Sequence, residues 1–538
     1  VVRAQRTVSQ VSARKATESA KADDAVSDHP KAPADNPAAL ALAGVARREI
    51  GHDRDTPSAA TATAPSTSGS AQRATVTTSP LGTADQLAAE KLAERTVGTL
   101  PVRLMKLVLR TGFLSAAKQQ FDRVGGPDKA NVDRLDAAVD AYAMAAAFQQ
   151  QLLNSNKPTV VMQVAPPHTW EGQDGATVPA SRILYDNPDT IYRFMGVNGA
   201  SKYVITGRFV DPDHMPADTT FSVLTGLTGN TTAVLTRDKL VLNPDGTFTI
   251  TADATPADGR VNHLQLPADA TLIATRNTLS DWGTEVPMSL QISRVGGPPN
   301  SLFSQLGGFA IPGLGPAVVR SPLLTKLVSL VPPLPSVPPL VRGTVTAVIM
   351  ALGIQREAKY MAVATTDPTT GHRQDPNVLR DPTRNAEFLA TQLQSAGYFQ
   401  LDDDQALVLT IDPDGAGYFV VPVTDDWTVT EDYWNEQTSL NISQAVANDD
   451  GTYTIVVSPT DPGVANWVST GGLHQGTISL RFQVLPDGAT PTVHSRLVSL
   501  GDLATVLPPR TRYVTAEERA AQIATRKAGF ESRFAPYA

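Results

Sequence analysis

The run Asp186-Asn187-Pro188-Asp189-Thr190-Ile191-Tyr192-Arg193 sets three polar side chains around a fixed proline. Asp186 and Asp189 can accept sugar hydroxyls or, with Asn187 as a further oxygen donor, bind Ca²⁺. The same residues write an Asx-type turn in which side chains cap backbone amides, and the two roles can coexist. Tyr192 and Arg193 alternate along an extended chain, so they cannot both face one cleft. Further on, Asp281, Trp282 and Glu285 follow Arg276 closely. Carboxylates flanking an aromatic are what glycoside chemistry needs, an acid and a base against a stacking platform. Arg276 and Arg481 end apolar strands. Each guanidinium could face a carboxylate, phosphate or polyol ligand, or tie the Asn262 or Asn466 loop to a carboxylate. His263 and His474 fall near corresponding positions after those asparagines, and Trp467 follows the second. A histidine there could serve as base or ligand. Zinc needs three or four converging ligands, and no close His pair is present. No residue is assigned as catalytic. Nucleophile-elbow, dinucleotide, Walker and His-Glu-x-x-His signatures are missing, which leaves the serine hydrolase, Rossmann, P-loop and zincin classes poorly supported.

These residues sit in a phrase written twice. Asp245-Gly246-Thr247-Phe248-Thr249-Ile250 leads through Asn262-His263 to Leu272–Arg276, and Asp450-Gly451-Thr452-Tyr453-Thr454-Ile455 leads through Asn466-Trp467 to Ile478–Arg481. Asp-Gly between alternating apolar residues signals a hairpin. The shared offsets of Asn and Arg predict two related β modules that superpose.

Many short segments of period two, broken by Gly, Pro and Asn-Asp turns, favour antiparallel sandwiches over a parallel sheet. The predicted fold is mainly β, with two related antiparallel β-sandwich-like modules, a helical N-terminal region and a C-terminal helix. The expected divisions are a linker-like tail at 1–80 with a short helix at Pro37–Arg48, a helical region at 81–158, a first β module at 159–298, a Pro-rich apolar insert and helix at 299–360, a second β module at 361–512 and a helix at 513–538. Thr515 and Glu518 form a capping box for that last helix. The insert holds Leu327, Leu330, Val331, Leu334, Val337 and Leu340 among repeated prolines, which forbid a membrane-spanning helix or a central strand. Polyproline geometry would present them as an apolar ridge. The ridge either covers its own domain or touches a lipid surface or another protein, with 321–341 as the peripheral membrane contact.

The composition narrows the field. With 538 residues, 41% of them hydrophobic, the chain can build two or three cores. A formal net charge of -8 offers no basic field to a phosphate backbone, which argues against a nucleic-acid partner. The absence of cysteine excludes disulfides, thiolate metal sites and a cysteine nucleophile. It also favours an exported protein weakly. Residues 1–24 show no apolar leader core, and the chain starts at Val, consistent with a removed leader or an unusual start.

Several of these phrases resemble a known family. Asp186–Arg193, Tyr203–Arg208, Asn262-His263 and Arg276 through Asp281-Trp282 resemble its N-terminal part. Asp461-Pro462-Gly463-Val464-Ala465-Asn466-Trp467, Gly471–Gly476 and Leu480-Arg481 resemble its C-terminal part. The family is the bacterial, often actinobacterial, group carrying the domain of unknown function 1214, and the early Pro-rich tail resembles mycobacterial exported proteins. The resemblance covers roughly 160–510 apart from the insert. It implies an antiparallel β-rich structure in an envelope or exported setting, and no known reaction. His263 departs from the second module's Trp467, so a function needing an aromatic there would fail in the first module. The expectation is an exported or envelope β-sandwich protein binding a glycan or glycolipid through polar loops. The alternatives are a carboxylate-based glycan-active enzyme and a scaffold contacting other envelope proteins. No cofactor is expected apart from the Ca²⁺ option.

Overall fold

Asn243–Thr247 and Asn448–Thr452 fold as the same turn. Asp245 Oδ1 accepts from the Thr247 amide at 3.1 Å and hydroxyl at 2.7 Å, and Asp450 Oδ1 from those of Thr452 at 3.0 and 2.7 Å. Gly246 and Gly451 take φ of 77° and 85°, a region where only glycine is unstrained. In this computed structural model, residues 79–170, 176–226, 229–311, 313–384 and 389–535 are described. The expected helix at Pro37–Arg48 and the linker-like tail through residue 78 lie outside the described residues.

From these turns the chain builds two modules of one topology. The first holds β1 (Val160–Met162), β2 (Thr190–Gly196), β3 (Lys202–Arg208), β4 (Asp218–Thr225), β5 (Asn230–Thr236), β6 (Thr247–Asp253), β7 (His263–Gln265), β8 (Ala270–Thr278) and β9 (Ser289–Gly296). The second holds β10 (Leu393–Gln400), β11 (Gln405–Asp412), β12 (Tyr418–Thr424), β13 (Ser439–Asn441), β14 (Tyr453–Ser458), β15 (Trp467–Ser469), β16 (Gln475–Gln483) and β17 (Thr492–Ser499). The sheets run β1-β2-β8-β4-β5 and β7-β6-β3-β9 in the first, β10-β16-β12-β13 and β15-β14-β11-β17 in the second. Each strand from β2 to β9 has its counterpart eight places later. Even the parallel pairs, β6–β7 and β14–β15, correspond. The two β modules expected from the repeated phrase are present, but its Asp-Gly turns do not close the expected hairpins, because each turn carries the chain from one sheet to the other, β5 to β6 and β13 to β14.

Each module closes over its own core. Met195, Ile205, Phe221, Phe248, Ile250 and Ile273 fill the first. Phe399, Leu407, Phe419, Ile455, Ile478 and Leu480 fill the second. The strands not expected from sequence are β2, β7, β10 and β15. β2 and β10 are counterparts, and both are buried on two faces, so neither shows the alternation of a half-exposed strand.

Helices α1 (Ala84–Val97), α2 (Leu100–Gln120), α3 (Lys129–Gln151), α4 (Pro339–Thr365) and α5 (Ala516–Ser532) join the modules. Ala89, Ala93, Met144 and Phe148 of α1 and α3 cover Leu224, Leu272 and Ala274 on the outer face of the first module. α2, α3 and α4 share a core that also takes Tyr185, Tyr398 and Trp427 from the modules. α2 and α4 lie side by side in the same direction: Thr99 meets Gly343 and Gly112 meets Ile354, and a Cβ at Gly343 would stand 2.1 Å from Thr99 Oγ1. The Thr515–Glu518 capping box starts α5 as expected. In the insert, short helices Leu302–Leu306, Gly315–Arg320 and Pro322–Val328 replace most of the expected ridge. Leu327, Leu330, Val331 and Leu340 are exposed there, while Leu334 and Val337 are partly covered.

Candidate functional site

The chain entering β2 lies in the seam between the modules. Asn187 Oδ1 accepts from the Asp189 amide at 3.0 Å, the Asx turn expected from the proline between them. The turn aims Asp189 at two neighbours. Trp282 Nε1 donates to one carboxylate oxygen at 2.8 Å, and the Tyr418 hydroxyl to the other at 2.6 Å. Asn187 Nδ2 donates to Tyr418 Oη at 3.1 Å, and the Asn187 amide to Tyr192 Oη at 3.1 Å. Asp186 accepts from the Thr430 amide at 3.0 Å and hydroxyl at 2.5 Å. Burial pushes the carboxyls of Asp186 and Asp189 up, against the hydrogen bonds and nearby arginines that favour their charged forms. Their oxygens are engaged by protein donors, which leaves no set for Ca²⁺. Among the described residues, no group of three or more His, Asp or Glu is placed to hold a metal ion. Leu184, Tyr185 and Thr428, all at φ of 57°, meet in the same seam, where the Tyr185 amide donates to the Thr428 carbonyl at 2.7 Å. Three non-glycine residues in the left-handed region are held there by the packing around them.

Trp282 is built in rather than offered to a ligand. Arg526 and Arg533 of the α5 region lie 4.3 and 4.2 Å from its ring centre, and Gly529 lets that helix pack closely, since a Cβ there would stand 2.8 Å from Trp282 Cβ. Glu285 accepts from the amides of Ala217, Ser280 and Asp281, while the exposed Asp281 caps Gly283. The acid, base and stacking platform expected of this group is therefore not formed, because its aromatic is buried and one carboxylate caps backbone.

The loop asparagines do one job in both modules. Asn262 Oδ1 and Nδ2 bond the amide and carbonyl of Val241 at 2.8 and 2.7 Å. Asn466 does the same to Val446 at 2.8 and 2.7 Å. The expected Asn–Arg ties are absent among the described residues. Arg481, 3% exposed, donates to the Tyr185 carbonyl instead. Trp467 hydrogen-bonds Ser458 and carries Arg519 at 5.0 Å from its ring centre, while Asp461 takes Arg519 at 2.9 and 3.2 Å. The Asp461–Trp467 phrase is thus a clamp on α5. His263 aligns with Trp467 by strand register and bonds Thr251 and the Thr255 carbonyl at 2.8 Å each. His474 lies beyond β15, on the exposed Asp403 at 2.9 Å, so the two histidines are not counterparts. Asn466 also borders a cleft of ≈ 320 Å³ walled by Asn448, Asp450 and Leu507–Arg512, with its own amide already committed to Val446.

Seven of the expected residues meet at the seam: Asp186, Asn187, Asp189, Tyr192, Arg276, Trp282 and Arg481. Asp281, His263, Asn466, Trp467 and His474 lie outside it. Within the seam one crevice keeps solvent contact. Tyr192, Arg276, Thr220 and Thr236 form a row across β2, β8, β4 and β5. Tyr192, Arg276 and Asp218 are only partly covered. Arg276 stands over the Tyr192 ring at 5.8 Å, and its one hydrogen bond is a long 3.4 Å contact to Ser222 Oγ. It has no carboxylate within ion-pair distance among the described residues. Burial lowers its pKa, Arg481 adds repulsion, and the Tyr192, Tyr360 and Asp218 side chains act in the opposite sense. Burial raises Asp218 to about 6. Thr220 Oγ1, buried beside Arg276, finds no hydrogen-bond partner among the described residues. Arg193, on the opposite face of β2, bonds Asn277 at 2.5 Å and the Met288 carbonyl at 2.6 Å inside the module.

Sequence reasoning missed Thr220, Ser222, Asp218, Tyr360, Tyr418, Arg526, Arg533 and Glu357. The repeated Arg276 and Arg481 pointed to the right strands, but no local pattern tells which neighbouring strand supplies the row. Glu357 of α4 takes the Thr428 hydroxyl at 2.8 Å and is raised to about 8 by burial.

Residues 396–484, nearly all of the second module's strands, match a family described as proteins of unknown function, DUF1214. No curated protein matches this chain. The crystal structure of an uncharacterized protein from Burkholderia cenocepacia is similar over 74% of this chain and 97% of its own, at 22% identity and a TM-score of 0.52. That likeness supports the fold. A protein from Vibrio parahaemolyticus matches over 67% of this chain and 99% of its own, at 13% identity and a TM-score of 0.33.

Proposed function

We propose that this chain is a binding protein, exported or held at the cell envelope, that takes the polar part of a glycan or glycolipid in the Arg276 crevice. Arg276 carries the reading. Its guanidinium has five donors, and the described residues supply one long contact and no carboxylate. A nearly enclosed arginine of this kind favours an acceptor-rich ligand, and the unpartnered Thr220 hydroxyl beside it offers a further hydrogen bond. Asp218 would accept from ligand hydroxyls, and the Tyr192 ring lies beneath the Arg276 guanidinium. We further propose that the family likeness extends from 396–484 to the first module, since both share one strand order. The Ala, Thr, Val and Pro bias supports an actinobacterial, mycobacterial-type origin.

Calorimetric titration with oligogalacturonate, rich in carboxylates and hydroxyls, and with neutral cellohexaose tests the site. Saturable binding of oligogalacturonate is expected, with Arg276→Ala lowering affinity at least tenfold and Thr220→Val severalfold. Binding that Arg276→Ala leaves intact, or the lack of binding to either probe, would contradict the proposal.

A further inference from the structure

The molecule separates its charges. Residues 95–121 carry five cations (Arg95, Arg103, Lys106, Arg110 and Lys118) and no carboxylate, in a chain of net charge -8. Residues 297–355 carry Arg320, Lys326 and Arg342, again with no carboxylate. The fold brings the two segments together. Arg342 Nε donates to Thr96 Oγ1 at 3.1 Å, and Arg95 lies close enough to help lower the Arg342 pKa after burial. The starts of α2 and α4 are therefore neighbours, and the insert runs directly into α4 at Pro339.

The same surface is apolar. Leu100, Leu104, Leu107 and Val108 make an exposed stripe on α2, with Leu104 and Leu107 at 55% and 64%. Leu340, at the start of α4, and Leu323, Leu327 and Leu330 in the segment leading to it are also exposed, between 62% and 77%. Spaced at three to four residues, the α2 leucines form one face of the helix that no other part of the described chain covers. Lys106 and Arg110 pair with Asp140 and Asp136 of α3 at 2.8 and 2.7 Å, whereas Arg95, Arg103, Lys118, Arg320 and Lys326 remain exposed on these segments. No helix among the described residues is long and apolar enough to cross a membrane.

We propose that α2, the 321–341 segment and the start of α4 form one docking surface for an anionic phospholipid bilayer. The leucines would enter the acyl boundary while the cations meet the headgroups. The sequence suggested a purely hydrophobic contact for 321–341. The neighbouring α2 supplies the positive charge that the insert lacks. A second copy of the chain is the less favoured occupant, because two such cationic rims would oppose each other. The inference is independent of the Arg276 crevice.

Co-sedimentation of the full chain with vesicles of phosphatidylcholine alone, and of phosphatidylcholine mixed with phosphatidylglycerol, tests it. Binding to the mixed vesicles should exceed that to the neutral ones by roughly tenfold or more and weaken as salt rises. The paired substitution Leu104→Asp with Leu327→Asp should abolish it while circular dichroism melts stay unchanged. The chain lacks cysteine, so Leu330→Cys gives one site for an environment-sensitive fluorophore. Its emission should shift to the blue on mixed vesicles, and that of Leu497→Cys on the remote β17 should not. Equal binding to both vesicle types, or none, would overturn the proposal. So would a dimer by light scattering that Leu327→Asp converts to a monomer.

Discussion

The two modules share strand order, turns and loop asparagines, yet their seam-facing arginines have different lives. In the second module Arg481 is enclosed, and its Nη2 donates to the Tyr185 carbonyl while its buried Nη1 finds no partner among the described residues. Every residue of β12 and β16 is buried. In the first, Arg276 occupies the equivalent position and keeps solvent contact with almost nothing to bond. The carboxylates divide in the same way. Asp425, Asp426 and Glu431, with Glu357 against Thr428, crowd the second module's side, all raised by burial. Asp218 is the corresponding acid beside Arg276. Of two copies of one fold, one has become the anchor for the helices and the other has kept an open polar face.

The largest expected effect tests the anchoring half. Glu357 is raised to about 8, so the folded state holds a proton that the unfolded chain releases near 4.5. That contribution is complete below about 4.5 and is lost as pH rises through about 8. Thermal melts of Glu357→Gln should match the parent near pH 5 and exceed it at pH 8, by a stability difference on the order of 3–5 kcal/mol. A parent protein equally stable at both pH values would show that the second module's acids are not stored neutral.

The next effect concerns the clamp that only the second module possesses. Arg519→Ala removes two bonds to Asp461, one to the Val464 carbonyl and the contact with Trp467. The loss should be roughly 2–3 kcal/mol in urea unfolding, with α5 exchanging its amides first. Arg260→Ala, which touches the first module's self-contained loop, should change stability by less than about 1 kcal/mol. Similar losses for the two would erase the asymmetry.

The smallest effects should be equal. Asn262→Ala and Asn466→Ala each remove a two-bond tie to a valine backbone, worth about 1–2 kcal/mol. Unfolding midpoints that differ widely between the two variants would mean the shared asparagines serve different ends.

Much of this duplication was legible because its carriers are local. Asp-Gly turns, loop asparagines and strand-ending arginines lie within a few tens of residues and keep their spacing. The Asx turn at Asn187 and the capping box at Thr515 were readable for the same reason. β2 and β10 were not, since strands covered on both faces lose the alternation that marks a half-exposed one. The partners of Arg276 and Arg481 were also hidden. Nothing in the neighbourhood of Arg481 says that Tyr185, nearly three hundred residues earlier, supplies its acceptor. Trp282 looked like a platform because sequence shows the ring and not the two arginines of the α5 region packed against it. That the α2 stripe is exposed was equally hidden, since an amphipathic pattern cannot tell a covered face from a bare one.

The division of labour between the two arginines is tested most directly by paired thermal melts of Arg481→Ala and Arg276→Ala at neutral pH. Arg481→Ala should lower stability by about 2–4 kcal/mol, because a buried carbonyl loses its donor and a cavity opens in the seam. Arg276→Ala should leave the melt unchanged or raise it slightly, by relieving repulsion from Arg481. Equal destabilisation by the two substitutions would make Arg276 a second structural anchor and remove the basis for a binding site in the first module.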